Sequence, residues 1–339
     1  MLFEEQVPLA PLTTFRIGGP ARYFCRVASE DALVEAVRLA QVRRLPLFVL
    51  GGGSNILVSD AGFGGVVVKM EQRGIWHCDR EGETIVSAAA GELWDDLVEG
   101  TVERGLLGLE NLSAIPGTVG AAPVQNIGAY GAEISQVMEK VRVLDTRSFE
   151  FLDLGRDECQ FGYRDSLFKR LKGRYVITQV EFRLNRAARV NLQYKDLTEH
   201  FAAQGIPAPT LRQVRNAVVV VRRGKLPDCR LWGTAGSFFK NPVVPRQTFD
   251  KLKQEHPGLP GHPEPDGRIK LPLGWILDKV CKVRGIALGK VSTYEKQALV
   301  VVAQLGASAA DVVKLTTELR RRVQEATGLA IEAEVEWVG

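Results

Sequence analysis

The glycine-rich stretch at residues 51–55 (GGGSN) could bind a phosphate. It directly follows an apolar run typical of a strand, and successive backbone N–H groups in such a turn can form an anion-binding nest. A Rossmann loop would need a glycine at position 56 and the start of a helix, whereas this chain has Ile56 and continues as a strand-like run. Glu71 imitates the ribose-binding acid of a Rossmann unit. A nicotinamide dehydrogenase therefore stays open as an alternative, as does a plain glycine turn.

Three further side chains could act on a substrate. Arg164, among aromatics in residues 161–166 (FGYRDS), could direct its guanidinium at a carboxylate, or could pair with Asp165 at the surface. Ser237 follows a glycine but has no GxSxG motif and no obvious histidine base, so a turn or cap residue is the alternative to a reactive serine. Glu334 lies on the polar face of the predicted last strand, where pattern alone favours solvent exposure.

Residues 111–132 (NLSAIPGTVGAAPVQNIGAYGA), which we call the uncharged segment, contain no charged side chain. The segment is long enough to suggest a membrane span, but its glycines and prolines would leave backbone groups unsatisfied in lipid. In a globular protein the same small residues let the backbone approach a large ligand closely. The composition therefore predicts a structureless pocket wall, with a buried irregular core segment as the alternative.

Periodicity places these stretches in an α/β arrangement. Residues 29–104 alternate helices and strands, beginning with a helix that Ser29 caps. Residues 141–184 read as antiparallel strands with one buried face. A helix capped at Thr210 is followed by a boundary loop over residues 224–236, and another helix begins at Ser308. The chain then closes on a predicted strand at residues 331–337, with Ile331, Ala333, Val335 and Trp337 facing the core.

Composition bounds the class of protein. The 339 residues, 45% hydrophobic and 25% charged, are typical of a soluble globular protein of two or three domains. A net charge of +4, with short scattered basic clusters, makes a nucleic-acid-binding module a poor third alternative. The five cysteines lack CxxC spacing and the four histidines lack metal-ligand spacing, so we expect reduced thiols, a cytoplasmic setting and no metal. No signal peptide or membrane-spanning run is evident.

Several motifs, each weak alone, form a specific set when taken in order along nearly the whole chain. They are residues 13–18 (TTFRIG), 51–55 (GGGSN), 115–120 (IPGTVG), 125–131 (QNIGAYG), 161–166 (FGYRDS), 235–242 (AGSFFKNP) and 332–335 (EAEV). Together they resemble the UDP-N-acetylenolpyruvoylglucosamine reductase (UDP-N-acetylmuramate dehydrogenase) family.

The resemblance implies an α+β fold with a two-part FAD-binding unit of the vanillyl-alcohol-oxidase (PCMH) type and a C-terminal α/β substrate domain. The implied boundaries are 1–70 and 71–224 for the two FAD-binding subdomains and 225–339 for the substrate domain, whose last strand could return to the first domain. The insertion containing Tyr194 resembles the longer subtype of the family, in which a tyrosine loop closes over the nucleotide-sugar.

The resemblance also implies a reaction. NADPH reduces bound FAD and leaves as NADP⁺, and the enolpyruvyl ether of UDP-N-acetylglucosamine then enters the same pocket in a ping-pong order. Flavin N5 delivers hydride to C3 of the enolpyruvyl group, and protonation at C2 gives UDP-N-acetylmuramate for peptidoglycan precursor synthesis. The expected partner is a small nucleotide-sugar, with neither nucleic acid nor membrane, and the expected protein is a cytoplasmic monomer.

Roles follow by the same match. Ser237 would protonate C2, which needs no histidine base, while Arg164 and Glu334 would stabilise an enol-like intermediate. The residues that would bind FAD are Gly51, Gly52, Gly53, Ser54, Asn55, Ile115, Pro116, Gly117, Val119, Gly120, Ala122, Ile127, Gly128 and Arg164. The residues that would hold the nucleotide-sugar are Tyr130, Tyr194, Lys225, Asn241 and Gln297.

Overall fold

A computed structural model describes residues 3–187 and 189–339. The chain divides into two compact units. Unit 1 comprises Met1–Val7, Ala21–Gly52 and Gly64–Gly224, and unit 2 comprises Pro8–Pro20, Gly53–Phe63 and Lys225–Gly339. Each unit is therefore assembled from segments that are distant in sequence.

The helices in the described part of the chain are α1 (Glu30–Val42), α2 (Trp94–Glu103), α3 (Leu167–Arg170), α4 (Lys195–Ala203), α5 (Leu211–Lys225), α6 (Arg246–Glu255), α7 (Leu273–Trp275) and α8 (Ala309–Thr327). A π-helical turn (Ile276–Val280) continues α7. Of the helices in residues 3–187 and 189–339, none combines the length and apolar character needed to cross a bilayer.

The strands in the same residues are β1 (Glu4–Pro8), β2 (Pro20–Val27), β3 (Leu47–Leu50), β4 (Ile56–Val58), β5 (Phe63–Met70), β6 (Ile75–Arg80), β7 (Glu83–Ala89), β8 (Gly128–Ala129), β9 (Ala132–Glu133), β10 (Met138–Asp145), β11 (Phe151–Gly155), β12 (Tyr175–Asn185), β13 (Gly233–Ser237), β14 (Val243–Val244), β15 (His262–Pro263), β16 (Ile269–Lys270), β17 (Ala287–Leu288), β18 (Val291–Tyr294), β19 (Gln297–Ala303) and β20 (Glu336–Val338).

Unit 1 is built on two sheets. One has the order β1-β2-β5-β3, with β3 parallel to β5. Helix α1 connects β2 to β3, and the Ser29 side chain caps this helix by accepting a hydrogen bond from the Ala32 amide. The other, in the order β11-β10-β12-β7-β6, pairs antiparallel from β11 to β6. Alternating residues of β12, such as Val180 and Phe182, are buried, which confirms the predicted antiparallel strands with one buried face.

Unit 2 is built on an antiparallel sheet in the order β13-β19-β18-β17, and residues of α8 share one core with this sheet. As predicted, α8 begins at Ser308, whose side chain and that of Asp311 form a reciprocal capping box, and ends at Gly328 with φ of 69°. Strand β20 runs parallel to β4. This pairing joins the segment Gly53–Phe63 of unit 2 to the end of its segment Lys225–Gly339.

Three predictions about local structure are wrong. The predicted strand over residues 331–337 is a strand only at Glu336–Val338, and Trp337 is 48% exposed instead of facing the core. The predicted boundary loop over 224–236 is shorter, because α5 continues through Lys225 and β13 begins at Gly233. The uncharged segment is not structureless, since it contains 3₁₀ turns and the small β8–β9 hairpin.

Candidate active site

In unit 1 the glycine turn after β3 lies against the uncharged segment. A Cβ atom added to Gly52 would come within 2.5 Å of the Gly117 Cα, and one added to Gly51 would come within 2.6 Å of the Thr118 Oγ1. The Lys69 side chain donates a hydrogen bond to the Gly51 carbonyl and so helps to hold the turn in place. Two stretches predicted to bind the cofactor are therefore in direct contact through backbones that only glycine allows so close.

The rest of the GGGSN stretch belongs to unit 2. Gly53 adopts a left-handed φ of 62°, and its carbonyl accepts the Thr14 amide at 3.0 Å. The Asn55 side-chain amide donates to the carbonyl of Glu334 at 3.1 Å, and the Asn55 carbonyl accepts the Glu336 amide at 3.0 Å. A residue predicted to bind the cofactor is thus tied to one predicted to be catalytic.

The uncharged segment combines a buried side with an accessible side. Val119, Ala122 and Ile127 are buried in the hydrophobic core of unit 1. The Gly120 amide donates to the Ala90 carbonyl at 2.9 Å, which fixes the backbone against the sheet. The remaining predicted cofactor residues of the segment are half-buried or exposed, namely Ile115, Pro116, Gly117 and Gly128.

The residues at this turn fit a large neutral ring system with a phosphate arm. The Thr118 Oγ1 is buried and has no hydrogen-bond partner among residues 3–187 and 189–339, so a polar ligand atom at the Gly51 turn would satisfy it. The close-packed glycines leave backbone groups at the surface of the turn, and the uncharged segment supplies apolar walls without charge. These features are those expected of a dinucleotide site.

Arg164 is directed at the uncharged segment. Its guanidinium donates to the Gly128 carbonyl at 2.6 Å and to the Asn126 carbonyl at 3.4 Å, and its own φ is 52°. The neighbouring Asp165 forms an ion pair with Arg170. The positive charge of Arg164 therefore lies at the carbonyl of Gly128, which is itself predicted to bind the cofactor.

Tyr130 and Tyr194 form an edge-to-face pair with ring centroids 5.2 Å apart. Burial raises the pKa of Tyr130 to about 12, so its hydroxyl stays protonated at neutral pH. The Asn111 side-chain amide donates to the carbonyls of Tyr130 and Asn191, at 2.8 and 2.9 Å. Two of the predicted substrate residues are thereby brought together in unit 1.

In unit 2 backbone hydrogen bonds link the two stretches that carry the other predicted catalytic residues, Ser237 and Glu334. Ser237 ends β13 after a bulge at Gly236, whose φ is 74°. The Glu334 amide donates to the carbonyl of Phe238, the next residue after Ser237, at 2.8 Å. Within the described chain the Ser237 Oγ has no hydrogen-bond partner. Glu334 is half-buried, although alternation in a strand predicted an exposed side chain.

Two of the predicted substrate residues of unit 2, Asn241 and Gln297, lie at the start of α7. The Asn241 Oδ1 accepts the Leu273 amide at 2.9 Å. A Cβ added to Gly274 would lie 2.7 Å from the Gln297 Oε1, so this side chain also reaches the same turn. Lys225 is exposed at the end of α5.

Comparisons with known proteins decide the family. Residues 21–148 match the family described as "FAD binding domain", and residues 228–338 match "UDP-N-acetylenolpyruvoylglucosamine reductase, C-terminal domain". A UDP-N-acetylenolpyruvoylglucosamine reductase of Pseudomonas fluorescens is 41% identical over 332 residues, covering 98% of this chain and 97% of its own. The enzyme of the same name from Ralstonia nicotianae is 44% identical over 338 residues, 98% of each chain. The chain belongs to the UDP-N-acetylenolpyruvoylglucosamine reductase family.

A solved structure of this family has the same fold. The UDP-N-acetylenolpyruvylglucosamine reductase from Thermus caldophilus superposes with a TM-score of 0.69 at 27% identity, covering all of both chains. The predicted fold class and the predicted FAD-dependent oxidoreductase are confirmed. The nicotinamide dehydrogenase without flavin, the alternative left open by the sequence, gains no support.

Structure adds residues to the reductase site that sequence reasoning missed. Lys69 and Thr118 support the glycine turn, and Asp95 and Arg215 form an ion pair beside the uncharged segment. Arg215 carried a detectable signal, because it lies next to Val214 on the apolar face of α5, where a charged residue is unexpected. No such signal marks Lys69 or Thr118, whose roles depend on tertiary contacts. In the described residues no cluster of metal-ligating side chains occurs.

Proposed function

We propose that this reductase converts UDP-N-acetylglucosamine enolpyruvate to UDP-N-acetylmuramate with electrons from NADPH, as the family assignment over 98% of the chain supports. Gly51 to Asn55 and the uncharged segment hold FAD. When bound, FAD supplies the two-electron carrier between NADPH and the enolpyruvyl double bond. The protein's own task is then to orient the substrate and to control charge and proton transfer.

Ser237 and Glu334 handle the proton at C2 of the enolpyruvyl group. The observation that carries this assignment is the hydrogen bond from the Glu334 amide to the Phe238 carbonyl, which places Glu334 beside the residue that follows Ser237 in unit 2. The half-buried Ser237 hydroxyl, without an internal acceptor in the described residues, is available to donate its proton. Glu334 then stabilises the enol-like form of the substrate.

The remaining assigned residues orient the substrate. Arg164 offers a guanidinium with a direction fixed by the Gly128 carbonyl, suited to the carboxylate of the enolpyruvyl group. Tyr130 and Tyr194 provide an aromatic surface with hydroxyl donors, and Lys225, Asn241 and Gln297 contribute charge and amides to the nucleotide-sugar. We further propose a cytoplasmic monomer, in keeping with free thiols at all five cysteines and a small-molecule substrate.

One experiment tests this function. The purified protein should show the visible absorption of an oxidised flavin, which NADPH should bleach under anaerobic conditions without substrate. Adding the enolpyruvyl sugar should then restore the absorption and release UDP-N-acetylmuramate, detected by mass spectrometry. A protein that takes up no FAD even on refolding in its presence would overturn the proposal. Size-exclusion chromatography with light scattering tests the monomer.

A further inference from the structure

The first turn of α2 holds the uncharged segment at several points. The Trp94 indole donates to the Leu112 carbonyl at 2.9 Å, and the Trp94 amide donates to the Gly117 carbonyl at 3.1 Å. The Val119 amide donates to the Glu92 carbonyl at 2.9 Å, just before the helix. Residues 112–119, which include four predicted FAD contacts, are therefore held by hydrogen bonds to the first turn of α2 and to Glu92 just before it.

Asp95 makes the one contact in this group that uses a charged side chain. Its Oδ1 accepts the Ala114 amide at 2.6 Å. Ala114 has a φ of 57°, a left-handed conformation that is unfavourable for a residue with a Cβ. The residue that follows is Ile115, the first predicted FAD contact of the segment. The Asp95 carboxylate thus fixes an unfavourable backbone conformation at the entry to the cofactor site.

Arg215 fixes the Asp95 carboxylate in turn. Its Nη1 donates to Oδ1 at 2.7 Å and its Nη2 to Oδ2 at 3.2 Å, so the pair is bidentate. The Arg215 residue is only 7% exposed, and Glu99 lies 3.5 Å from its Nη2. A buried ion pair is weak evidence for stability, because apolar residues of the same volume often serve as well. Here the pair has a further use, since an apolar side chain at position 95 could not accept the Ala114 amide.

The helix that carries Arg215 also belongs to the predicted substrate side of unit 1. Its residues Val214 and Val218 form a small core with Leu197 of α4, and Tyr130 packs against this core. Helix α4 is preceded directly by Tyr194. One ion pair therefore connects the backbone that lines the cofactor site to the helix against which the substrate tyrosines are placed.

We propose that Asp95 is a positioning residue for the FAD site, which holds Ala114 and the backbone after it in the conformation that receives the cofactor, and that Arg215 orients it. This inference rests on the proposed function, because it takes the uncharged segment as the FAD-lining wall. In this role Asp95 acts through the Ala114 backbone. Its effect should therefore appear in the affinity and environment of bound FAD.

The test uses a matched pair of variants. Glu30 also lies in the first turn of a helix of unit 1 and also binds an arginine in a bidentate manner, with Arg142 at 2.7 and 3.3 Å. Asp95→Ala and Glu30→Ala each remove such a carboxylate, but only the first removes the acceptor of the Ala114 amide. Asp95→Asn keeps that acceptor and removes the charge. Arg215→Lys keeps a charge but not the bidentate geometry.

The readouts are the dissociation constant of FAD, from fluorescence titration of the apoprotein, and the visible spectrum of the bound flavin. Leaving the Ala114 amide unsatisfied should weaken FAD binding about tenfold in Asp95→Ala and shift the flavin band. Asp95→Asn should stay within about threefold of the wild type, with Arg215→Lys between the two and Glu30→Ala unchanged.

The outcomes separate this inference from the proposed function. Wild-type protein that binds no FAD contradicts both. Wild-type protein that binds FAD, together with an Asp95→Ala variant of unchanged affinity and spectrum, overturns the positioning role alone. A fall in melting temperature that Asp95→Ala and Glu30→Ala share, without any change in FAD binding, also overturns it, because the pair would then be purely structural. If Asp95→Ala does not fold, the order of Asp95→Asn and Arg215→Lys decides.

Discussion

The uncharged segment of unit 1 and the backbone link beside Ser237 and Glu334 in unit 2 are built in different ways. The segment is continuous in sequence, and its glycines and apolar residues are themselves the surface that we propose meets a ligand. The unit 2 link joins stretches far apart in sequence through backbone hydrogen bonds, from the Glu334 amide to the Phe238 carbonyl and from the Lys240 amide to the Glu332 carbonyl. The first region is defined by composition, and the second by tertiary structure.

This difference separates binding from chemistry. A wall for a large flat ligand needs many small contributions, so substitutions in the segment should change affinity. A proton donor acts through one atom, so its loss should change one step by a large factor while leaving binding nearly intact. Substitutions in the two regions should therefore have distinguishable kinetic effects.

The largest effect is expected from Ser237→Ala. Removing the proton donor should slow reoxidation of the enzyme by the enolpyruvyl sugar by about 10²–10⁴-fold, while bleaching by NADPH remains nearly unchanged. Stopped-flow absorbance measures the two half-reactions separately. Ser292→Ala, a half-buried serine in β18 of the same sheet, is the matched control and should alter neither rate.

An equal loss in both half-reactions would contradict this assignment. Ser237 would then support the fold of the bulge at Gly236 instead of donating a proton. Without a proton donor at Ser237, unit 2 would no longer supply a residue whose loss changes the chemical step alone.

The second effect concerns the binding region. Gly52→Ala places a Cβ within 2.5 Å of the Gly117 backbone, which must move to accommodate it. Overpacking of this kind costs about 1–3 kcal/mol, so FAD affinity should fall by about 5- to 150-fold. Gly100→Ala is the control, because this helical glycine of α2 has open space around it and alanine there should stabilise the protein by about 0.5–1 kcal/mol. Unchanged FAD binding in Gly52→Ala would place the cofactor elsewhere.

The same contrast explains what the sequence could and could not predict. The start of α8 at Ser308 and the alternation of β12 follow from local chemistry, and both predictions are confirmed. The prediction of a strand over residues 331–337 is wrong because the amides of Glu334 and Val335 both approach the Phe238 carbonyl. This contact breaks the alternation of side chains before β20 begins. No local pattern contains that information, since it depends on where β13 lies.

Residues of the site divide in the same manner. The uncharged segment was identified as a ligand wall from its composition, whereas Ser237 and Glu334 each looked ordinary by pattern and gained a role only from the family resemblance. The sequence gives no sign of Asp95, because a first-turn acid is a common feature, and the signal of Arg215 is only that of a charge among the apolar residues of α5. Their contact with Ala114 exists only in the folded chain.

The third effect concerns substrate binding in unit 1. Tyr194→Ala removes the edge-to-face contact with Tyr130, and aromatic pairs of this kind contribute about 0.5–1.5 kcal/mol. The KM for the enolpyruvyl sugar should rise by about 2- to 12-fold, with the flavin spectrum unchanged. Trp76→Ala is the control, since this exposed aromatic on β6 belongs to no assigned site. A fall in kcat at constant KM would instead assign Tyr194 to the chemical step.

The smallest expected effect is absent at neutral pH and appears only in acid. Asp95 in unit 1 and Asp278 in unit 2 both have a pKa below the ordinary value. Burial acts to raise the pKa of each, but hydrogen bonds from Arg215 and the Ala114 amide at Asp95, and from Arg284 at Asp278, outweigh it. A depressed pKa in the folded state contributes stability above the ordinary aspartate pKa, and this contribution is lost as the pH falls through the depressed value.

The two aspartates should nevertheless differ in what acid does to the cofactor. Between pH 7 and about pH 5 the contribution of neither aspartate to the unfolding free energy changes, because the two lowered pKa values and the ordinary aspartate pKa of about 3.9 all lie below this range. Below that, the difference in unfolding free energy between wild type and Asp95→Asn should shrink, and so should the difference between wild type and Asp278→Asn. Only the first should be accompanied by a change in FAD affinity, followed by flavin fluorescence, and this change should stay within about threefold, because a protonated Asp95 still offers an acceptor to the Ala114 amide. A loss of FAD in acid that is more than about threefold greater for wild type than for Asp95→Asn would contradict this account, because the charge of Asp95 and not its acceptor oxygen would then hold the backbone.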